Sequence, residues 1–374
     1  LSDTPLIHWE ENTVAKQAKW QAENGISPPK RVLVVDDRLT ADEAYRLASE
    51  GVGLLWRGDF QNARQLLQAM GRRVDRRKEK TVDNITERFH MHRLRQSQRT
   101  RTLSMLLIEM DVTHHAALKR MPDFSEACRS VYGEVSEPYV VSLRALLGLN
   151  GAWEWHKAGV EIPALNHARI YPDYGVFSPV RGEYLELVAT APLPADTLAF
   201  DIGTGTGVIA AILAQRGVQK IIATEQDPRA VACAKANVAR LGYSSHVDVQ
   251  NTDMFPDGQA PLIVCNPPWI PARPASPIEY AIYDPESRML KRFLQGLKTH
   301  LSPDGEAWLI LSDIAEHLGL RSREEILTAF AQAGLEVIAR LDTRPKHPKS
   351  LNKTDPLHIA RAAEVTSLWR LRLV

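Results

Sequence analysis

Leu198-Ala-Phe-Asp-Ile202, running into Gly203-Thr-Gly-Thr-Gly207 and then into the apolar stretch from Val208 to Arg216, decides the fold. The first piece has the length of a short strand, the last that of a helix, and alternating glycines join them. Glycines at a strand end let the backbone bend sharply and approach a ligand, leaving the first amides of the helix free to bind it. The stretch therefore predicts strand, turn and helix around a nucleotide-type cofactor. A dinucleotide fingerprint asks for glycine or alanine at the sixth place from its first glycine, and here that place is Val208. Asp201, immediately before the turn, suits a ligand carrying an amino group and a sulfonium better than it suits a pyrophosphate. Asp201, Gly203, Thr204, Gly205 and Gly207 are the candidate contacts to that cofactor.

Downstream, Lys220-Ile-Ile-Ala-Thr224, Val247-Asp-Val-Gln250, Leu262-Ile-Val-Cys265, Ala307-Trp-Leu-Ile-Leu311 and Glu336-Val-Ile-Ala-Arg-Leu341 read as strands. A last one is expected among His358 to Glu364 or Leu368 to Leu373. Helical segments lie between them, and this alternation implies a doubly wound α/β fold, a mainly parallel sheet covered on both faces. The second strand ends in Thr224-Glu225-Gln-Asp227-Pro228. A carboxylate at that tip can accept both hydroxyls of a ribose, the role read for Glu225, while Asp227 is placed to cap the next helix. After the third strand, Asn251-Thr-Asp253-Met-Phe255 puts an acid where it can accept from the exocyclic amine of an adenine, with Met254 or Phe255 packed on the ring.

The fourth strand runs into Asn266-Pro267-Pro268-Trp269. Consecutive prolines fix their own φ and lack N–H donors, so this is a rigid projection beyond the sheet edge. The residues suit transfer to a planar nitrogen, a poor nucleophile because its lone pair is delocalised. The Asn266 side-chain oxygen and the Pro267 carbonyl can accept its two N–H hydrogens and draw it toward tetrahedral geometry. Trp269 can stack on the planar group that carries the nitrogen. Asn266, being neutral, positions the nucleophile and is not a general base. Asn266, Pro267, Pro268 and Trp269 are the candidate catalytic residues.

Upstream, Arg31-Val-Leu-Val-Val-Asp36 and Gly53-Leu-Leu-Trp56 read as strands, each leading into a helix, the second of which starts after Asp59. Between Arg72 and Arg101 stand eleven Arg and Lys against four Asp and Glu, a local net charge of +7. The whole chain carries only +1, which argues against general affinity for polyanions or membranes and confines any basic surface to this segment. Arg72, Arg73, Arg76 and Arg77 are candidate phosphate contacts. Mostly helical patterns are expected from there to about Leu149, followed by a small hairpin from Trp153-Glu-Trp155 and Gly159-Val-Glu-Ile162. The expected division is an accessory α/β domain over 1–155, a candidate for substrate recognition, and the cofactor-binding domain over 156–374. Cys128, Cys233 and Cys265 lack the spacing of a zinc site or disulfide framework, and His90, His92, His114 and His115 have no ligand partners in pattern, so no metal is expected. No apolar run approaches the roughly 20 residues of a membrane span, and no signal-peptide pattern opens the chain. A cytoplasmic setting without a membrane partner is expected.

From about Tyr174 onward, the Val176-Phe-Ser-Pro179 stretch, the glycine turn, Thr-Glu-Gln-Asp-Pro, Thr-Asp-Met-Phe and Asn-Pro-Pro-Trp together resemble the class I S-adenosylmethionine-dependent methyltransferases with an Asn-Pro-Pro-Tyr-type motif. That group contains small-domain rRNA guanine, adenine-amine and glutamine methyltransferases. The resemblance implies S-adenosylmethionine as cofactor, a Rossmann-like sheet of seven strands with the last antiparallel, and cofactor contacts at Asp201, Gly203, Gly205, Glu225 and Asp253. Two positions depart from the pattern: Trp269 stands where Tyr or Phe is commoner, and Gln226 where an apolar residue often meets adenine. The acceptor is expected to be an exocyclic base amine of RNA or DNA. A glutamine amide of a protein partner is the chemical alternative, and a binding module without turnover is the alternative of another class.

Overall fold

The computed structural model describes residues 5–23, 25–76, 82–180, 182–274, 277–345 and 353–374. They form two compact units, one from the described residues up to Asp83 with His90–Glu154, the other from Asn84–Phe89 and Trp155–Val374.

The first unit is a six-stranded mixed sheet with helices. Its elements are β1 (Leu6–Glu11), β2 (Val14–Gln21), β3 (Arg31–Val35), α1 (Ala41–Ser49), β4 (Val52–Trp56), α2 (Phe60–Asp75), most of α3 (Ile85–Leu103), β5 (Leu106–Met110), α4 (Ser125–Tyr132), β6 (Tyr139–Ser142) and most of α5 (Leu143–Ala158). The strand order is β1-β2-β6-β5-β4-β3. β4 lies inside the sheet and is buried along its whole length, which is why it reads as an unbroken apolar run. Thr40 and Asp59 cap α1 and α2 by accepting from Glu43 N and Gln61 N. β5 and β6 correct the expectation of helical structure up to Leu149. Apolar runs of four or five residues are too short for periodicity to separate strand from helix.

The second unit opens with a hairpin of β7 (Val160–Ile162) and β8 (Ala168–Ile170). Trp153-Glu-Trp155, expected in that hairpin, lies instead within α5. Then follow α6 (Glu183–Thr190), β9 (Leu198–Ile202), α7 (Val208–Gln215), β10 (Lys220–Glu225), α8 (Pro228–Arg240), β11 (Val247–Asn251), β12 (Ala260–Cys265), α9 (Arg288–His300), β13 (Leu301–Ser312), α10 (Ile314–His317), α11 (Arg323–Gln332), β14 (Leu335–Thr343), α12 (His358–Ala363) and β15 (Thr366–Leu373). The seven strands lie in the order β11-β10-β9-β12-β13-β15-β14. Only β15 is antiparallel to its neighbours.

Side chains alternate across this sheet with the period of two that a pleated strand imposes. Ala199 of β9 and Leu262 and Val264 of β12 pack in one core with α6, α7 and α8. Phe200, Ile202, Ile263 and Cys265 pack in another with α9 and α11. The chain leaves β9 toward β10 and β11, then crosses back to β12 on the other side, so the switch of direction falls between β9 and β12. In such sheets the crevice at the carboxyl ends of the strands at the switch is where ligands bind.

Candidate active site

Strand register assembles this edge. Ile202 of β9 pairs with Cys265 of β12 and with Thr224 of β10, and Glu225 of β10 pairs with Asn251 of β11. Neighbouring strands lie about 4.8 Å apart. Gly203 and Asn266, the residues that follow Ile202 and Cys265, therefore leave the sheet side by side, with Glu225 on the far side of the glycine turn.

The turn is held by its own backbone. Gly203 N and Thr204 N both donate to Thr224 O at 2.9 Å. Gly203, Gly205 and Gly207 have φ of 71°, 56° and 81°, values that disfavour any side chain. At Gly207 a Cβ would also lie 3.3 Å from the Ala234 Cα and carbonyl oxygen of α8. Gly207→Ala is thus expected to destabilise the protein by about 1–2 kcal/mol, read as a lower urea midpoint; an unmoved midpoint would show that the turn relaxes freely. At Gly205, by contrast, a Cβ would point into open space.

Asp201 is 1% exposed. Its Oδ2 accepts from Thr204 Oγ1 at 2.6 Å and from Ala210 N at 3.1 Å, whereas Oδ1 is buried and has no hydrogen-bond partner. Burial pushes the carboxyl up to about 7, against the pull of its two hydrogen bonds. Glu225 ties the next strand end to the turn: Oε2 accepts from Gly205 N at 3.2 Å, and Oε1 from Gln226 N and Asp227 N. Burial raises its pKa too. Asp227 caps α8 through Arg229 N. An orphaned buried carboxylate oxygen, an open space over Gly205 and an acid at the β10 tip fit a ligand with an ammonium group and a ribose, so S-adenosylmethionine is compatible with the residues present.

Asp253 follows β11 on the same edge and forms a two-point ion pair with Arg292 of α9 at 3.1 and 3.0 Å, both side chains remaining about half exposed. Met254 has φ 70° and its carbonyl accepts from Thr224 Oγ1. Phe255 packs away from this edge, stacked on His300 and Phe293 of α9, which leaves Met254 as the apolar group beside Asp253.

In the Asn-Pro-Pro-Trp segment, Trp269 Nε1 donates to Asn266 Oδ1 at 2.9 Å. The Trp269 carbonyl accepts from Arg321 Nη2 at 3.3 Å, and Arg321 Nη1 donates to Ser287 Oγ. The chain beyond the motif closes back on it, with Ile270 bridged to Tyr283. Buried Asp284 then starts α9 by accepting from Met289 N and Leu290 N. Met289, Tyr184 and Arg321 are site residues that sequence reasoning missed. The Met289 methyl lies over Gly203, the Tyr184 ring meets Trp269 edge-on, and Arg321 is buried behind the motif. Tyr184 stands 17 residues before Asp201, and Met289 and Arg321 stand 20 and 52 residues after Trp269, so no local pattern marks them.

The proposed phosphate contacts belong to the first unit. Arg72 and Arg73 occupy the last turn of α2 and Arg76 its C-cap. Arg73 is ion-paired with Asp42 at 2.5 Å, Arg72 and Arg76 are exposed, and Arg77 lies outside the described residues. Among the described residues no group of His, Cys, Asp and Glu could hold a metal ion. His114 is a buried structural residue bonded to the Tyr139 hydroxyl and the Gly133 carbonyl. Among the same residues no helix is long and apolar enough to cross a membrane.

Residues 169–333 match the family model described as methyltransferase small domain. The chain is 40% identical over 119 residues to a release factor glutamine methyltransferase of Mycolicibacterium smegmatis, covering 30% of this chain and 42% of that protein. It is 32% identical over 155 residues to a tRNA1(Val) (adenine(37)-N6)-methyltransferase of Bacteroides thetaiotaomicron, covering 39% and 64%. Across the first of these relatives the chain spans about half of their length. Among solved structures it is similar to a ribosomal protein L11 methylase of Lactobacillus delbrueckii subsp. bulgaricus, with 19% identity, a TM-score of 0.39, and 56% and 87% of the two chains covered. Glycine turn, register and sequence kinship agree: residues 169–333 of the C-terminal unit match the methyltransferase small domain, and the unit is similar to class I S-adenosylmethionine-dependent methyltransferases of that group.

Proposed function

We propose that this chain methylates a planar nitrogen, an exocyclic base amine of RNA or DNA. The observation that carries the reading is the pairing of Ile202 with Cys265, because it sets the Gly203 turn and the Asn266 corner on adjacent strand ends. Asp201, the backbone of Gly203 to Gly207, Glu225, Asp253 and Met254 hold the cofactor, which supplies an electrophilic methyl carbon. Asn266 Oδ1 has two lone pairs; Trp269 takes one, and the other accepts an N–H of the acceptor, with the Pro267 carbonyl taking its second hydrogen. Both contacts strengthen as the nitrogen gains positive charge, so they favour the transition state over the bound ground state. Trp269 flanks the planar group. Holding the nitrogen in line at contact distance provides most of the acceleration.

A glutamine amide of a protein is the second reading, favoured by the relative named as a release factor glutamine methyltransferase. The test uses a lysate lacking the enzyme, labelled with tritiated methyl donor and the purified full chain. Label lost on nuclease treatment supports the base amine; label kept in protein after nuclease supports the amide. In the nucleic-acid case, replacing Arg72 and Arg76 together by Gln is expected to weaken RNA binding and to flatten the log–log salt dependence by about 1.4–1.8. An unchanged slope would remove these arginines from the interface.

A further inference from the structure

Behind the Asn-Pro-Pro-Trp corner stands a buried cation that forms no ion pair among the described residues. Arg321 is 9% exposed. Its Nη2 donates to the Trp269 carbonyl at 3.3 Å and its Nη1 to Ser287 Oγ at 3.2 Å, both neutral acceptors, while Nε is buried with no hydrogen-bond partner. For stability alone this is a poor choice, because a buried charge is costly unless paired and an apolar side chain of similar volume often serves as well. What the guanidinium adds is direction, a planar fork that reaches two acceptors at once.

The carbonyl it grips lies where the corner would otherwise be able to turn. Pro267 and Pro268 have φ fixed by their rings, so the next adjustable torsions are those of Trp269. Holding the Trp269 carbonyl fixes the peptide plane between Trp269 and Ile270. It thereby steadies the backbone from which the indole Nε1 reaches Asn266 Oδ1 at 2.9 Å. The loop that carries Arg321 is itself held from behind. Leu320 N donates to Ala315 O at 2.9 Å, and Thr86 Oγ1, in the first turn of α3, donates to the Leu318 carbonyl at 2.9 Å. Gly319 has φ 66°, and a Cβ there would lie 2.5 Å from Thr86 Oγ1. Phe89 is buried with Ile314, Leu318, Leu357 and Ala360 in the cluster against which Trp269 and Ile270 pack.

We propose that Arg321, its loop held by the first turn of α3, is a positioning residue that sets the Trp269 indole, and through it the Asn266 oxygen, toward the acceptor nitrogen. The inference rests on the reading of Asn266 and Trp269 as the groups that receive the acceptor. It separates the two halves of the site: α9, whose Met289 lies over Gly203, keeps its own cap at Asp284 when Arg321 is lost. Arg321 stands 52 residues after Trp269 and Thr86 stands 183 before it, so neither support shows in the motif.

The test uses the full chain labelled with 5-fluorotryptophan. Its eight tryptophans give separate fluorine signals, and that of Trp269 is assigned by its loss in Trp269→Phe. Arg321→Met keeps the length of the side chain and removes every donor. In this variant the Trp269 signal is expected to shift while those of Trp308 and Trp369 stay, and affinity for S-adenosylhomocysteine is expected at the parental value. Single-turnover methyl transfer to the lysate fraction that takes label is expected to fall about tenfold, the loss of roughly one hydrogen bond to a charged group. Arg321→Lys should recover part of both effects. Thr86→Val, which loses the hydroxyl and keeps the shape, should move the Trp269 signal in the same direction by less. An unmoved Trp269 signal in Arg321→Met overturns the proposal whatever the turnover, and a moved signal with parental transfer overturns the positioning role. Equal shifts of all three signals would make Arg321 a brace of the whole fold and overturn it too. An unmoved signal in Thr86→Val strikes α3 from the support. If Arg321→Met does not fold, Arg321→Lys and Thr86→Val decide by the same readouts. A parent that labels neither nucleic acid nor protein defeats the proposed function instead, and the fluorine spectra still decide the contact.

Discussion

Asn266→Ala is expected to lower methyl transfer by about 10²–10³-fold, the usual loss when one preorganised polar group facing developing charge is removed, with affinity for S-adenosylmethionine nearly unchanged. The separation of effects follows from the architecture. The cofactor contacts proposed above lie at the end of β9, on the turn after it and at the ends of β10 and β11, whereas Asn266 follows β12. Deleting its amide withdraws a hydrogen-bond acceptor from the nucleophile and leaves the Gly203 turn, pinned to Thr224 O, intact. Single-turnover transfer and calorimetric binding of the cofactor measure the two quantities separately. If transfer and cofactor affinity drop together by similar factors, Asn266 belongs to the cofactor pocket and not to the acceptor.

The second large effect is expected in the pH dependence of stability. Asp201 has a carboxyl pushed up to about 7 in the folded protein, from an ordinary value of 3.8. Below about pH 4 the group is protonated in folded and unfolded chains alike, and its stabilising contribution is complete. As pH rises toward 7 the unfolded chain ionises while the native one keeps its proton, so the contribution is lost, about 4 kcal/mol for a shift of roughly three units. Asp201→Asn has no such titration. Its amide oxygen can receive the Thr204 and Ala210 bonds, and its NH2 stands where Oδ1 lacks a partner. Denaturant unfolding of the ligand-free chain from pH 4 to 8 should show the parent losing stability relative to the variant across this window. Parallel curves would mean that Asp201 ionises freely, through water reaching its unpartnered oxygen. The same buried carboxyl should release a proton when a cationic amino group binds beside it below neutrality, so calorimetric heats of cofactor binding should depend on the buffer's ionisation enthalpy there.

Much of the site is legible in the residue string because its signals are local. Glycines at positive φ, an acid at each of three strand ends and a Pro-Pro corner all act within a few bonds of where they stand. The N-terminal unit is less legible. Its first hairpin, β1 with β2, and the strands β5 and β6 rest on pairings across the sheet that short apolar runs do not announce. Trp153 and Trp155 read as strand residues yet lie in α5, where the helix of Leu143–Ala158 overrides the local preference of two aromatic residues. Phe255 looked equal to Met254 as a cover for adenine; the smallness of Gly296 on α9 draws it the other way.

Chain order alone is enough to specify the strand, turn and helix from Leu198 to Gln215 and the type of chemistry at Asn266, since backbone sterics and side-chain chemistry settle both within short segments. Which of those segments become neighbours is decided by packing between distant parts. The pairing of Ile202 with Cys265 brings together residues more than sixty positions apart, and the edge-on contact of Tyr184 with Trp269 joins α6 to the Asn-Pro-Pro-Trp corner. Such contacts form only where two cores have closed on both faces of the sheet, because their loop-closure entropy is repaid by burial and not by any local preference.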